Sequence, residues 1–511
     1  MNRYKLAGVD LPRNIALITA IFSTCFLVYL ITWSGHHYSI DGIVMFQYAK
    51  SLLFDHSFVM NPPVRWGQDF FVGKWPIGLT IAYIPVLGIL SLTVFRGNNA
   101  IKQIPYDPSL SYNFELLENR PYRYSSFLNP TITAASAVIL YSLCRRLGLS
   151  NKKSVAAALV FGLASPAATY AKFDFAQPLA SFFLLLTILF LFRARQGAYS
   201  DLIIAGISLG LAVITRPELF LLSPIFIGAV YFIRERSSGK RNTLKSDQVK
   251  QLISFVIPIL LFFLLNQYVN YQKFGSWLSM GYNPSGEFAL SLRNILTAIA
   301  GNLISPGRGI FIYFPLSVLS FWGFRRLFRE DRFAAWIFGT FILGSLFLYS
   351  MWKDWGAGIS WGPRFFIPII PYLTLLSFLG IGLIQKNAKQ YKTVLISGLI
   401  ILGWVAALQG LLFNFLEFYA NLDLPQQAIP QGNYNFAPEN SPIIMGWSQI
   451  GRPLEYDIYW TKDETISSGG GKHLILLFTG MFALGYAFRS WRSFFSSPDT
   501  PEYSAEKQRI R

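Results

Sequence analysis

Charged residues are scarce in this chain, and their scarcity decides its class. Only 14% of the 511 residues are Asp, Glu, Lys or Arg, whereas soluble proteins usually carry about a quarter. Hydrophobic residues make up 53% of the chain and aromatic residues 17%, and the mean hydropathy is +0.39. This composition excludes an ordinary soluble domain and indicates an integral membrane protein.

Cysteine and histidine are nearly absent as well, which argues against several kinds of site. The two cysteines, Cys25 and Cys144, lie in or beside apolar segments, so we expect neither a disulfide framework nor a zinc site. His36 and His37 are adjacent, but such a pair without a further spaced ligand is a weak metal signal. We therefore predict no metal site and no cofactor.

Sequence motifs of several enzyme classes are also missing. The chain contains no HExxH motif, no Walker loop and no Rossmann fingerprint. The segments that we predict below to face outward contain no Asp-x-Asp motif. A mechanism based on a nucleotide sugar and a metal therefore has no support in the sequence.

Positive charge exceeds negative charge by 18. In a membrane protein such an excess is expected, because cytoplasmic loops retain Lys and Arg, so it does not predict nucleic-acid binding. Arg3, Lys5 and Arg13 precede an apolar run of about 20 residues, which is too long for the core of a signal peptide. We expect this run to remain as an uncleaved first helix.

Twelve apolar runs are candidate membrane spans, and the charges between them predict their orientation. Lys and Arg gather in alternate loops, which places both termini in the cytoplasm. This orientation requires that the apolar stretch 77–95, which contains Pro85, makes no simple crossing. We interpret it as a juxtamembrane or re-entrant helix on the outer side, with a thirteenth span as the alternative. The predicted fold class is an all-α polytopic membrane protein of about 12–13 transmembrane helices, with runs at 14–33, 124–143, 154–171, 175–192, 201–215, 218–233, 251–270, 310–324, 333–351, 365–385, 393–415 and 473–488.

The same pattern divides the chain into three parts. Residues 1–415 form the predicted transmembrane core, whose first outer loop, 34–123, carries juxtamembrane helices. Residues 416–472 form an outer polar segment rich in Asn, Pro, Gln and Tyr, which we interpret as a small lid. Residues 473–511 contain the last span and a cytoplasmic tail.

An acidic residue stands directly after the first span, in Ser39-Ile40-Asp41-Gly42. The residues that follow Asp41 have the length of a helix that could lie along the membrane surface. A carboxylate at that place is a candidate general base. The alternative is that Asp41 is simply the N-cap of this helix, since Asp is a favoured capping residue.

Five basic residues stand at the predicted outer ends of segments, against the retention rule: Lys74, Arg123, Arg216, Arg308 and Arg364. Several are flanked by Pro or Gly, which free the local backbone. Such cations are what a phosphate site at the lipid boundary requires, with Arg giving bidentate contacts and Lys a point charge. For any one of them the alternative is snorkelling or a structural ion pair, such as Arg216 with Glu218.

The predicted outer turn 352–364 combines three Trp and three Gly with Lys353 and Arg364. Aromatic rings beside flexible backbone suit sugar stacking, which makes Trp355 and Trp361 candidate sugar-contacting residues. An interfacial aromatic belt is the alternative for either ring. The density of glycine and the terminal Arg364 favour a built site.

These pieces resemble the GT-C membrane glycosyltransferases that use polyprenyl-phosphate sugars, among them protein O-mannosyltransferases (glycosyltransferase family 39) and aminoarabinose transferases. The likeness covers most of residues 10–415, with short and degenerate motifs: Asp41 with Ala49 and Leu52-Leu53, Lys74-Trp75-Pro76-Ile77-Gly78, Arg123-Tyr124-Ser125-Ser126, Cys144-Arg145-Arg146-Leu147-Gly148, Ser165-Pro166, Tyr170-Ala171-Lys172, Gly206, Thr215-Arg216-Pro217 and Ser305-Pro306-Gly307-Arg308-Gly309-Ile310-Phe311.

The resemblance implies a GT-C type helix bundle and an inverting sugar transfer. Asp41 would act as general base towards a hydroxyl acceptor, and cations such as Lys74 and Arg308 would stabilise the departing lipid phosphate without a metal. Asp174 would orient the sugar or the cations, although a structural role is the simpler interpretation. Many relatives carry Asp-Glu where this chain has Asp41-Gly42, which places the catalytic role on Asp41 alone. The partners implied are the lipid bilayer, a polyprenyl-phosphate-linked sugar and an acceptor that is lipid, glycan or protein.

Two other classes of function remain open at the level of sequence. A carrier or flippase for a lipid-linked or anionic substrate would suit a protein with many spans and intramembrane charge, but it should show paired halves with broken helices at matching positions. A ligase or polymerase of surface polysaccharide would be favoured by a late outer loop bearing Arg and His; here that loop has Arg452 but no His before His473.

Overall fold

The structure of the protein is a computed structural model, described for residues 11–57, 64–66, 69–71, 75–93, 120–195, 198–233, 244–279, 288–358, 360–382, 389–413, 433–448, 457–461 and 471–497. It is dominated by helices. The α-helices are, in chain order, α1 (Leu11–Ile31), α2 (Ile40–Lys50), α3 (Ile77–Thr93), α4 (Arg120–Ser125), α5 (Leu128–Arg146), α6 (Asn151–Leu163), α7 (Pro166–Lys172), α8 (Gln177–Ala194), α9 (Tyr199–Thr215), α10 (Ser223–Phe232), α11 (Leu244–Phe274), α12 (Leu292–Ile304), α13 (Ile310–Tyr313), α14 (Ser320–Glu330), α15 (Arg332–Ser350), α16 (Ile370–Ile381), α17 (Lys389–Leu412), α18 (Pro442–Ser448) and α19 (Gly471–Ser496).

Shorter elements connect these helices. A π-helical turn, Ser51–Asp55, follows α2, and two short antiparallel strands, β1 (Val64–Trp66) and β2 (Asp69–Phe71), form a hairpin in which Arg65 pairs with Phe70. The 3₁₀ helices are Pro217–Leu222, Pro315–Leu319, Arg364–Ile369, Asn433–Phe436, Pro438–Asn440 and Tyr459–Thr461.

The all-α polytopic class predicted from the sequence is confirmed. Within the described ranges, six helices are long and apolar enough to cross a membrane, or seven when the bent pair of α6 and α7 counts as one span. Five further apolar helices are shorter, with 10–17 residues. Several of the predicted runs form shorter or interrupted helices within the described ranges.

Proline and serine account for those interruptions. The predicted run 154–171 bends by 51° between α6 and α7, where the Ser165 hydroxyl accepts a hydrogen bond from Ala167 N at 3.2 Å and Pro166 takes the first helical position. The predicted run 310–324 is divided at Pro315, which cannot continue the helix that ends at Tyr313.

The helix bundle has a buried core and an apolar outer face. Ala137, Leu184, Leu209 and Phe338 are fully buried in one continuous cluster. On α11, by contrast, Leu261 is 62% exposed. An apolar surface of this kind is compatible with lipid and would be a liability in water, which is consistent with a multi-pass membrane protein.

Helix α3 packs on α2 and on the end of α9. Phe46 of α2 and Tyr83 of α3 share a second buried cluster. Gly78 of α3 lies directly against Thr215, the last residue of α9, because a Cβ there would overlap the backbone of Thr215. The helix predicted at 77–95 is present as Ile77–Thr93, and its first turn packs against the end of α9.

Close backbone contact between α14 and α16 provides a test of the packing. A Cβ on Gly323 of α14 would overlap the carbonyl oxygen of Leu376 in α16. We expect Gly323→Ala to destabilise the protein by about 1–3 kcal/mol, as overpacking does. Gly398→Ala in α17 is the matched control, because nothing lies within 4 Å of the Cβ position there. Thermal unfolding of the detergent-purified proteins measures both, and an unchanged midpoint for Gly323→Ala would contradict this packing.

Candidate active site

Asp41 lies in the first turn of α2. The hydroxyl of Ser39 accepts a hydrogen bond from Gly42 N at 3.1 Å, so Ser39 is the N-cap of this helix. The alternative interpretation of Asp41 as the capping residue is therefore wrong. Its side chain is 24% exposed, and an acid in the first turn is favoured by the helix dipole. The Asp41 carboxylate is therefore not used as the helix cap.

The carboxylate of Asp41 is paired with Arg364. Arg364 Nη2 donates to Asp41 Oδ2 at 2.6 Å, although 323 positions separate the two residues. Arg364 begins the 3₁₀ helix Arg364–Ile369, and its guanidinium carbon lies 3.7 Å from the centroid of the Phe175 ring. The ring contact and the ion pair together fix the guanidinium beside the acid.

Gln177 joins this pair to a second guanidinium. With its amide oriented so that its neighbours are satisfied, the Gln177 oxygen accepts from Arg364 Nε at 3.2 Å and from Arg216 Nη1 at 3.0 Å. Arg216 is also paired with Glu218, as the sequence suggested, through Nε at 2.7 Å and Nη2 at 2.5 Å. The Tyr349 hydroxyl donates to the same carboxylate at 3.2 Å. Two cations are thus held at one amide next to Asp41.

The buried carboxylate of Asp174 binds the backbone at the start of α2. It is 4% exposed, and its Oδ1 accepts from Tyr38 N at 3.0 Å and Ser39 N at 2.9 Å. The His37 ring faces its Oδ2 through Nδ1 at 2.8 Å and the Ser125 hydroxyl through Nε2 at 2.7 Å. Asp174 therefore positions the backbone that leads to Asp41.

The position of Asp174 leaves room only for glycine at position 42. A Cβ on Gly42 would overlap Asp174 Oδ2. The carboxylate of Asp174 thus occupies the space beside the helix where a side chain at position 42 would begin. This explains, in steric terms, why the Asp-Glu pair of many relatives is Asp-Gly here.

The short loop that carries Asp174 and Phe175 is held by α5. The buried amide of Asn129 donates to the carbonyl oxygens of Phe173 at 2.5 Å and Phe175 at 2.9 Å. Asn129 therefore holds the loop that places Asp174 against α2 and the Phe175 ring against Arg364.

Arg308 has a different environment from the other predicted phosphate-binding residues. It is 1% exposed, and its guanidinium donates to the carbonyl oxygens of Gly307 at 3.1 Å, Gly356 at 2.5 Å, Gly358 at 2.7 Å and Ser360 at 2.5 Å. Gly358 and Gly362 have φ angles of +62° and +54°, which glycine adopts readily. In the structure Arg308 holds the turn that leads to Arg364, and its contact with phosphate stays a prediction.

The two candidate sugar-contacting tryptophans are also buried. Trp361 is fully buried, and its indole donates to Gln409 Oε1 at 2.6 Å. Trp355 is 4% exposed and packs against Gly301 and Phe436. Both rings are enclosed by protein in the structure, and their contact with a sugar stays a prediction.

The remaining predicted cations lie elsewhere. Arg123 donates to the Tyr459 hydroxyl at 2.8 Å, near the aromatic cluster around Trp33. Lys74 lies outside the described residues. Of the five predicted cations, the structure thus brings Arg216 and Arg364 together around Asp41.

Helix α2 carries charges of the expected sign at both ends. Asp41 stands in its first turn and Lys50 in its last, which matches the helix dipole. Burial lowers the pKa of Lys50 below its usual value, and the negative charge of Asp55 partly opposes that shift.

Several residues at the site were not predicted from the sequence. Gln177 and Phe175 stand where a loop enters α8, a signal too common to be noticed. Asp457 is a buried acid of the late polar region, where no motif points to it. Within the described ranges, no three His, Cys, Asp or Glu side chains are grouped as a metal ion would require, and Cys25 and Cys144 are both free and buried.

Comparison with known proteins supports the resemblance seen in the sequence. Residues 126–265 match the family model described as dolichyl-phosphate-mannose-protein mannosyltransferase, which confirms, over that segment, the likeness to membrane glycosyltransferases that use polyprenyl-phosphate sugars. The segment includes Asp174 and Arg216, whereas Asp41 and Arg364 lie outside it. No curated protein sequence matches the chain.

Solved structures with a similar arrangement come from archaea and bacteria. The oligosaccharyltransferase of Archaeoglobus fulgidus with a tethered acceptor peptide is 11% identical, with a TM-score of 0.49 over 79% of this chain. This chain spans 55% of the length of that protein. ArnT from Cupriavidus metallidurans bound to undecaprenyl phosphate is 12% identical, with a TM-score of 0.46, and the match covers 87% of this chain and 79% of ArnT.

Substitutions of Asp174 test its place under α2. Asp174→Ala would leave three buried donors without an acceptor, at about 1–3 kcal/mol each. In Asp174→Asn, the amide oxygen can still accept from both backbone groups, and the other tautomer of His37 can accept from the new amide. We expect a clearly larger fall in the thermal unfolding midpoint for Ala than for Asn. Equal falls would show that the charge of Asp174, and not its hydrogen-bonding pattern, stabilises the protein.

Proposed function

We propose that this protein is an inverting glycosyltransferase that moves a sugar from a polyprenyl-phosphate carrier to a hydroxyl acceptor at the outer face of the membrane. The match of residues 126–265 to a mannosyltransferase family supports the class of reaction. The observation that carries the proposal is the cluster around Asp41: a partly exposed acid, 2.6 Å from Arg364, which Gln177 links to Arg216.

Asp41 acts as the general base in this proposal. It accepts the proton of the acceptor hydroxyl as the acceptor oxygen attacks the anomeric carbon from the side opposite the lipid phosphate. The new bond joins that carbon to the acceptor oxygen, and the bond between the carbon and the phosphate oxygen breaks. The configuration at the carbon is inverted, and the carrier leaves as polyprenyl phosphate.

Arg364 and Arg216 bind the phosphate in this proposal. Charge gathers on the phosphate oxygens as the carrier leaves, and fixed guanidinium groups stabilise it where water is scarce. Arg364 Nη2 donates to Asp41 in the structure. A phosphate that accepts this hydrogen bond instead releases the Asp41 carboxylate. Donor binding and activation of the base are thereby coupled through one side chain. The proposal assigns further phosphate contacts to Lys74 and Arg123, a positioning role to Arg308, and no resident cofactor.

The proposed location follows from the distribution of charge in the sequence. Both termini lie in the cytoplasm, the protein crosses the plasma membrane (the inner membrane of a bacterial-type envelope), and Asp41 faces outward. The acceptor is a lipid, glycan or protein that bears a hydroxyl group.

Replacement of Asp41 tests its role as the base. Purified wild type, Asp41→Asn and Asp55→Asn are assayed with a panel of radiolabelled polyprenyl-phosphate sugars. We expect Asp41→Asn to lower transfer by about a hundredfold or more, as loss of a general base does. Asp55 is an exposed acid of the same region, so Asp55→Asn should keep full activity. Wild-type movement of the lipid-linked sugar across vesicles without transfer would favour a carrier instead.

Replacement of Arg364 tests the phosphate contact. Arg364→Gln removes the charge, and we expect the KM for the donor to rise by roughly tenfold to a hundredfold, which corresponds to a hydrogen bond to a charged group. Arg364→Lys keeps the charge but loses the bidentate geometry of the guanidinium, and its donor KM should lie between those of the wild type and Arg364→Gln. Arg329→Gln is the matched control, because Arg329 is exposed in α14, beyond the other end of α15 from Arg364. A donor KM that is unchanged in Arg364→Gln would refute the assignment.

A further inference from the structure

The residues that lead into α2 are held by a second buried carboxylate, which belongs to the late polar region of the chain. Asp457 is 5% exposed. His36 Nε2 lies 2.7 Å from its Oδ1, the Tyr38 hydroxyl donates to its Oδ2, and Lys172 Nζ lies 3.1 Å from the same oxygen. We call these four residues the Asp457 clamp.

The clamp is a built ionic site. His36, Lys172 and Tyr38 are each at most 6% exposed. Burial of charged groups is costly unless they are paired and hydrogen-bonded, and removal of one partner leaves the others uncompensated. Lys172 Nζ also donates to the carbonyl oxygens of Leu411 at 2.8 Å and Asp457 at 2.7 Å.

The clamp acts on the same short stretch as Asp174. Tyr38 contacts both acids, because its hydroxyl donates to Asp457 and its backbone nitrogen donates to Asp174 at 3.0 Å. Asp174 stands two residues after Lys172, the last residue of α7. The chain entering α2 is therefore held between two carboxylates.

The segment 457–461 is attached by separate contacts as well. Tyr459 N donates to Trp33 O at 2.7 Å, and the Trp460 indole donates to Leu30 O at 2.8 Å. These contacts reach the end of α1 and do not involve residues 36–39. Attachment of the segment and the grip on α2 can therefore be tested separately.

We propose that Asp457 is a positioning residue for the transfer reaction: through His36 and Tyr38 it fixes the entry to α2 and so the direction in which Asp41 is presented. The inference rests on the proposed role of Asp41. Asp457 belongs to the late polar region, outside the segment that matches the family model, and in this proposal that region contributes to the site.

The test compares Asp457→Asn with Trp460→Phe, which weakens the attachment of the segment but leaves the clamp. Assays run below the unfolding midpoint of each variant, so that loss of folded protein does not contribute. We expect kcat of Asp457→Asn to fall by about tenfold to a hundredfold, as a small displacement of a catalytic group does, with the donor KM within about twofold. Trp460→Phe should keep the wild-type kcat.

Hydrogen exchange supplies a readout that does not depend on activity. The amides of residues 42–50 should exchange faster in Asp457→Asn than in wild type or Trp460→Phe. If Asp457→Asn does not fold, Tyr38→Phe, which removes one donor, should lower kcat and speed exchange in the same direction.

The outcomes separate this inference from the proposed function. Unchanged kcat and exchange in the folded clamp variant, or an equal loss of kcat in Trp460→Phe, would overturn the positioning role. If Asp41→Asn keeps transfer, the proposed role of Asp41 as general base fails, and the inference fails with it because Asp41 then has no role to be positioned for. Exchange at residues 42–50 would still report whether the clamp orders α2.

Discussion

The hydrogen bonds from the backbone of Tyr38 and Ser39 to the buried carboxylate of Asp174 fix where α2 begins, and the rest of the site depends on that position. Asp174 comes from the loop between α7 and α8, which Asn129 of α5 holds in place. A loop inside the helix bundle therefore determines the position of a helix in the first loop. Because Gly42 has no side chain, the carboxylate can sit directly against the helix.

A second constraint acts on the other partner of Asp41. The turn before Arg364 surrounds the guanidinium of Arg308, whose N–H groups donate hydrogen bonds to four backbone carbonyl oxygens. Arg308 and Arg364 thus have different roles in the same turn. Arg308 is buried and shapes the backbone, while Arg364 is 14% exposed and meets the acid.

The sequence predicted what depends on local pattern. Apolar runs and their flanking residues gave the all-α class, and the Arg216 pair with Glu218 was visible because only one residue separates them. The pairing of Asp41 with Arg364 was not visible as a contact, since 323 positions lie between them. A cation beside Gly and Pro has the same sequence signature whether it faces a phosphate, as proposed for Arg364, or backbone carbonyls, as for Arg308. Trp355 and Trp361 were ambiguous for the same reason: an aromatic ring near glycine suits a surface or a core, and burial decides between them.

The long sequence separation within the site has a consequence for synthesis of the protein. Asp41 leaves the ribosome early, but Arg364 follows 323 positions later, and Asp457 follows His36 by 421 positions. A partly translated chain already inserted in a membrane thus displays its acid without the guanidinium or the clamp. The contacts of both acids can form only after residue 457 has been made. A truncated product that ends before Arg364 would hold the Asp41 carboxylate without its ionic partner.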